Sequence, residues 1–347
     1  MNTMISRRKL MVSAAMAALA TPAIIRSAQA APTPIRFGNA GAVGSGCIET
    51  LIFSPTMQKE VLPGFGRFGK DYTFSIVMTK GSPEVVTLLA AEQIDVGTLS
   101  FAALASTVSK DLVPGGVKVI ADSYQDGSPN GFSNTFAVLE DSPIRDIQDL
   151  RGKRIASNGF GTAADTLMRV SLSRSGIDPK KDLEVLEIGF ANMGAALRQG
   201  RIDCGCMVQP FWAVEQAKGG MRKLFDQREI IGPVAMLFHV APASFLASNG
   251  PAVRAFLQDY YDGLKWLYDP ANREMALQIG ADVTKSPIDT LRPYFLTEHD
   301  FYHAPNGCLT ADLIQKPIDA QVEAGMIPAT IDAAAVLDMS YLPGSCA

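Results

Sequence analysis

The chain has 347 residues, of which 31 are basic and 35 acidic, for a formal net charge of −4; 47% are hydrophobic and 19% charged. Without residues 1–30, which carry Arg7, Arg8, Lys9 and Arg26 and no acid, 27 basic residues face 35 acidic ones, a net charge of −8. That balance argues against nucleic acid or an anionic membrane surface as partner, and the length suffices for a large core shared between two lobes.

Ser6-Arg7-Arg8-Lys9-Leu10-Met11 opens a basic segment, Met11 to Ile25 is uncharged and alanine-rich, and Ala28-Gln29-Ala30 supplies small residues for cleavage. The pattern predicts an export signal over residues 1–30, too short for a spanning helix. The paired arginines, with Arg26 near the cleavage site, favour the twin-arginine route. No cysteine stands at that site, so the expectation is a soluble periplasmic protein without a lipid anchor. No later stretch is long and apolar enough to cross a bilayer.

"IRFGNA" (Ile35 to Ala40) reads as a strand, followed by glycine-rich "GAVGSG" and a helical stretch. "YTFSIVM" (Tyr72 to Met78) reads as a second strand. Ser82-Pro83-Glu84 then starts a helix with a capping hydroxyl, a proline in the first turn and an early acid. "LAAEQIDVGTLSFAAL" (Leu89 to Leu104) ends that helix, passes through Ile94-Asp95-Val96-Gly97 and begins another. "FSNTFAVLE" (Phe132 to Glu140) is a further strand. The same order then returns: "KRIASN", the glycine loop "GFGTAAD", a helix, the strand "LEVLEIG", and "LRQGRIDCGCMVQPFWAV" through Ile202-Asp203-Cys204-Gly205. Strand and helix alternating in this way predict a parallel sheet covered on both faces, built twice.

"VAMLFHVAP" (Val234 to Pro242) is the last strand, and helices follow it. In "PAVRAFLQDYYDGLKWLY", Val253, Phe256, Leu257, Tyr260, Leu264 and Leu267 keep one apolar face. The chain should cross to lobe two near residues 125–140 and return near 232–243, making a hinge beside a cleft. Lobe one is then 31–128 plus 240–347, with the C-terminal helices, and lobe two is 129–239.

Gly159-Phe160-Gly161-Thr162-Ala163-Ala164 fits G-x-G-x-x-A, and Glu187 stands where a ribose-binding acid could follow. An exported oxidoreductase with a nucleotide cofactor is therefore one reading. The other is an anion cradle, because a helix N-terminus offers unpaired N–H groups and the positive end of a dipole to any anion.

"KGSPEVVTLLAAEQIDVG", "IRDIQDLRGKRIASNGFGTAADTLM", "SGIDPKKDLEVLEIG" and "GAALRQGRIDCGCMVQP" resemble, in order and spacing, the landmarks of ABC-transporter substrate-binding proteins. The type is the nitrate/sulfonate/taurine one, which includes thiamine-precursor binders. The resemblance implies an α/β, type II periplasmic-binding fold that closes on one small molecule and delivers it to a membrane ABC permease. It also places ligand contacts at the loops after the strands.

In open α/β sheets those loops hold the ligand. The candidates are Asn39, Gly41 and Ser45 after the first strand, and Ser100 and Phe101 after Ile-Asp-Val-Gly. Gly161, Thr162 and Ala163 contribute backbone N–H groups, with the Thr162 hydroxyl; Gln209, Phe211 and Trp212 follow Ile-Asp-Cys-Gly. Phe101 and Trp212, matched across the cleft, are expected to wall in an apolar body, while Phe160 and Phe211 read as core. Lys80 is the nearest cation. This shell suits a small organic anion, a sulfonate or carboxylate, better than inorganic nitrate. A binding protein that feeds a sensor is a further alternative, and a monomer is expected.

Catalysis is not expected. The chain has three histidines, His239, His299 and His303, and no G-x-S-x-G elbow. His299 and His303 have helical spacing and read as a solvated pair, and His239 as packed or hydrogen-bonded. No cofactor or metal set emerges. Asp95 and Asp203 read as structural. Of the five cysteines, Cys204 and Cys206 suit the core, the odd number leaves at least one free or paired between chains, and pairing of Cys308 with Cys346 stays open.

Overall fold

The computed structural model describes residues 31–346 except Ala42, Ser45 and Asn130. The expected export signal and the candidate Ser45 lie outside the described residues. No helix among these residues is long and apolar enough to cross a membrane.

The first half of the chain forms β1 (Thr33–Asn39), α1 (Glu49–Ile52), α2 (Pro55–Glu60), α3 (Leu62–Phe65), β2 (Tyr72–Met78), α4 (Ser82–Ala90), β3 (Val96–Leu99), α5 (Phe101–Ser109) and β4 (Val117–Asp126). The second half forms β5 (Thr135–Leu139), β6 (Arg154–Ser157), α6 (Ala163–Arg174), β7 (Glu184–Glu187), α7 (Phe190–Arg198), β8 (Cys204–Met207), α8 (Phe211–Lys218), β9 (Met221–Asp226) and α9 (Gln227–Ile230). After β10 (Val234–Pro242) come α10 (Ala243–Tyr268), α11 (Arg273–Thr284), α12 (Ile288–Leu291), α13 (Ala311–Glu323) and α14 (Ala333–Val336).

Two five-stranded sheets result, ordered β2-β1-β3-β10-β4 and β7-β6-β8-β5-β9. They have the same plan, and they correct the expectation of a purely parallel sheet. β1 runs parallel to β2 and β3, and β6 runs parallel to β7 and β8. In each sheet, however, the strand entering from a crossover, β10 or β5, inserts antiparallel to both neighbours. β10 pairs along its length with β4, from Val234↔Asp126 to Pro242↔Val117. A boundary at residue 239 therefore falls inside a strand that belongs whole to the first sheet.

The repeated Ile-Asp-x-Gly is a clamp. Asp95 accepts the backbone N–H of Arg36 at 2.9 Å and its guanidinium at 2.6 Å, tying the entry to β3 onto β1. Asp203 does the same for Arg154 on β6, at 2.8 and 3.0 Å. The glycine that follows sits where α4 or α7 presses on the sheet. A methyl on Gly97 would stand 2.6 Å from Val85 Cγ1 and 3.0 Å from the Gly38 carbonyl oxygen; one on Gly205 would stand 2.8 Å from the Met193 side chain.

The crossovers are tied to each other. The Asp126 carboxylate accepts the Ser133 hydroxyl at 2.6 Å and the Asn134 N–H at 3.0 Å, and Gln227 donates its N–H to the Asn134 carbonyl at 3.1 Å. α10 packs on lobe one, where the Phe256 ring stacks with Phe53 and Phe74. Residues 300–307 form an extended strap along β4. The N–H groups of Asp122, Gln125 and Phe132 each donate to it at 2.8 Å, and Cys308 at its end is bonded to Cys346. This strap displaces the helix expected around His299 and His303. His299 is exposed, whereas His303 is buried with Nδ1 2.9 Å from the Tyr268 hydroxyl, so the two are not a solvated pair. His239 is buried, 2.5 Å from Glu49. Cys47, Cys204 and Cys206 are buried free thiols.

Candidate ligand-binding site

The carboxyl ends of the parallel strands in both sheets point at one cavity, part of it open to solvent. From lobe one come Ala40, Gly41 and Gly46 of the β1–α1 loop, and Gly81 and Ser82 at the start of α4. Tyr124 of β4, Met236 and Leu237 of β10, and Phe301 of the strap complete that side. From lobe two come Asn134 before β5, Asn158 after β6, and Thr162, Ala163 and Ala164 at the start of α6. Phe190 opens α7, and Val208 and Gln209 precede α8. The lobes touch at one rim, where a methyl on Gly81 would stand 3.0 Å from Thr162 Cγ2.

None of these lining residues is Asp, Glu, Lys, Arg or His. The polar surface consists of amides, hydroxyls and the first N–H groups of helices. Burial pushes the Tyr124 phenol well above its ordinary pKa, so it stays protonated. Ser82 Oγ accepts the Ser100 N–H at 3.0 Å and keeps its own proton to donate. Asn158 Oδ1 lies 2.9 Å from the Thr162 hydroxyl oxygen, and Gln209 Oε1 takes the Ala213 N–H at 3.2 Å, which leaves the Gln209 NH₂ free to donate.

Of the candidates, Gly41, Thr162, Ala163 and Gln209 meet on the cavity wall. Asn39 is buried just behind it, with Nδ2 3.4 Å from the Gly41 carbonyl oxygen. Ser100 is buried as the N-cap of α5, its hydroxyl oxygen 3.3 Å from the Ala103 N–H. Phe101 and Trp212 are not in the lining. The first turns of α5 and α8 fold them back onto the sheets, Phe101 into the main core and Trp212 beside Met193, Leu197 and Met207. The apolar wall comes instead from Phe190, Phe301 and Leu237. Phe160, read as core, lies instead at the surface. It is 50% exposed, with the Arg169 guanidinium 5.5 Å from its ring centre. Lys80 is exposed, and its backbone N–H is capped by Glu84.

The glycine loop is filled by its own chain. The Glu187 carboxylate accepts the Phe160 N–H, Asp165 accepts the Gly161 N–H at 3.0 Å, and the Thr162 N–H reaches the Gly159 carbonyl. The Thr162 hydroxyl donates within the loop, 2.7 Å from the Gly159 carbonyl oxygen. Two carboxylates thus occupy the N–H groups that a pyrophosphate would need, and Glu187 faces the loop rather than a ribose position. Only the N–H groups of Ala163 and Ala164, which have no acceptor in an α-helix's own backbone, remain on this wall for a ligand. Asp165 itself is paired with Arg169 at 2.8 Å; burial raises its carboxyl pKa, against the pull of the Gly161 N–H and Arg169.

The fold is that of periplasmic binding proteins. The alkanesulfonate-binding protein SsuA from Xanthomonas axonopodis pv. citri, solved with MOPS bound, superposes with a TM-score of 0.67 at 19% identity, over 89% of this chain and 99% of that one. An Escherichia coli protein named for binding aliphatic sulfonates is 22% identical over 72% of this chain and 74% of its own length. The nitrate/nitrite binding protein NrtA of Synechococcus elongatus is 25% identical over 57% of this chain and 47% of its own. Residues 73–273 match the family described as NMT1/THI5 like, and the chain belongs to that family.

Proposed function

We propose that this protein is an exported solute-binding protein that closes on a small organic anion, a sulfonate or carboxylate with an apolar body, and delivers it to an ABC importer. The observation that carries the reading is a cleft whose described lining residues carry no formal charge, onto which the N-termini of α4, α6 and α7 converge from both lobes. Helix N-termini and neutral NH₂ and OH donors hold an anion without an opposing full charge, which permits later release. In this reading Ser82, Ala163, Ala164, Asn158 and Gln209 donate to the anionic head, and Phe190, Phe301 and Leu237 hold the body. Lobe one (31–128 plus 240–347, with all of β10) and lobe two close about the crossovers, and residues 1–30 direct export by the twin-arginine route. The sulfonate- and nitrate-binding relatives support this assignment.

A thermal-shift panel of sulfonates, carboxylates, nitrate and NAD tests it. A ligand at about a hundred times its Kd should stabilise the protein by about 2.7 kcal/mol, and should be recovered unchanged. A shift with NAD alone would overturn the reading.

A further inference from the structure

The amides on the cavity wall are not equivalent. Gln209 has its carbonyl oxygen engaged by the Ala213 N–H, and Asn158 Oδ1 stands 2.9 Å from the Thr162 hydroxyl. Asn134 is 1% exposed, and among the described residues neither its Nδ2 nor its Oδ1 has a hydrogen-bond partner. Its backbone is fixed on both sides, by Asp126 at 3.0 Å and Gln227 at 3.1 Å. A buried amide without partners is destabilising, so one held rigidly against a ligand cavity marks a contact completed on binding. A sulfonate, a carboxylate or nitrate has acceptor oxygens only and can satisfy Nδ2 but not Oδ1. The second atom requires a donor on the ligand, next to an acceptor.

We propose that the ligand carries, beside its anionic head, a planar edge of the carboxamide or urea type, and that Asn134 reads this edge through both amide atoms. The inference rests on the solute-binding reading above and narrows its substrate class. Simple alkyl sulfonates and inorganic nitrate become poor ligands.

The test is titration calorimetry of the purified protein with three probes: 3-amino-3-oxopropane-1-sulfonate, its isostere 3-oxobutane-1-sulfonate, and butanamide. The first two differ only by NH₂ in place of CH₃. The wild type should bind the amide sulfonate at least about tenfold more tightly than the ketone, because a site built for a donor rejects an analogue that leaves its acceptor unpaired. Asn134→Leu should bring the two within about twofold of each other, and should raise Tm without ligand. Asn134→Ala carries the same comparison should the leucine variant fail to fold. Equal affinities in the wild type, or a preference that survives in both variants, would overturn the role of Asn134 and leave the anion site standing. Binding of butanamide but of neither sulfonate would overturn the anion reading and support Asn134. Binding of none of the three would overturn both.

Discussion

The two lobes share one frame and use it differently. Each has the strand order second-first-third-crossover-last, and each locks its third strand with an aspartate that grips an arginine on the first. At the cavity the likeness ends. Lobe two presents helix starts and amide donors at Asn158, Thr162 to Ala164, and Gln209. Lobe one presents a glycine-containing loop, Ser82 and a floor of Tyr124, Met236, Leu237 and Phe301. The frame decides where a ligand sits; the loops and the strap decide what it can be.

Protonation should separate the lobes most. Burial raises two crossover-side carboxyls, Asp122 to about 8 and Asp126 to about 7. Both values lie above the usual carboxylate range, so the folded state retains protons that the unfolded chain releases. This stability is full below about pH 4 and is lost as pH rises towards 8, by on the order of a few kcal/mol. Denaturant unfolding at pH 4.5, 6 and 8 checks it, and Asp122→Asn should flatten the profile. A stability rising over that range would show that these groups are ionised in the native state.

The disulfide is the next lever, because it exists only in lobe one. Cys346→Ser opens a 38-residue separation and frees the strap that carries Phe301. Stability should fall by about 2 to 4 kcal/mol, with faster amide exchange at residues 300–307 than in lobe two. The repeated glycines then compare the two frames directly. Gly97→Ala must displace a β-branched valine and approach a backbone carbonyl, at a cost of about 2 to 3 kcal/mol. Gly205→Ala meets a flexible methionine, at a cost of about 1 kcal/mol. Equal losses would mean that the two helices press on their sheets alike. The smallest effect belongs to the clamps. Arg36→Leu and Arg154→Leu remove ion pairs whose arginines are 45% and 39% exposed, and should lower Tm similarly, by no more than about two degrees.

Much of this frame is legible in the sequence, because its signals are local. The doubled Ile-Asp-x-Gly, the Pro83-Glu84 start of α4 and the glycine loops after strands fix the elements and the end of the sheets at which a ligand belongs; Ser82, expected to cap α4, is instead its first residue and takes the Ser100 N–H. What escapes is set by long-range pairing. An isolated apolar run such as "VAMLFHVAP" does not reveal that it will insert antiparallel between β3 and β4. Phe301 reaches the cavity on a strap placed by hydrogen bonds to β4, which no periodicity announces. Phe101 and Trp212 stand at the right loops but face the sheets. The carboxylate of Glu187, read as a possible ribose ligand, and that of Asp165 close the glycine loop that the fingerprint leaves open. Asn134 stands out only once its neighbours are known to leave it unpaired.

The most direct measurement of the central claim is calorimetric titration of the wild type and of a Gln209→Leu, Asn158→Leu double variant with the best organic anion from the panel. The account predicts one-to-one binding to the wild type and a loss of at least about a hundredfold in the variant, since two donors to a charged group are removed. Undiminished affinity in the variant would contradict it and place the anion elsewhere on the protein.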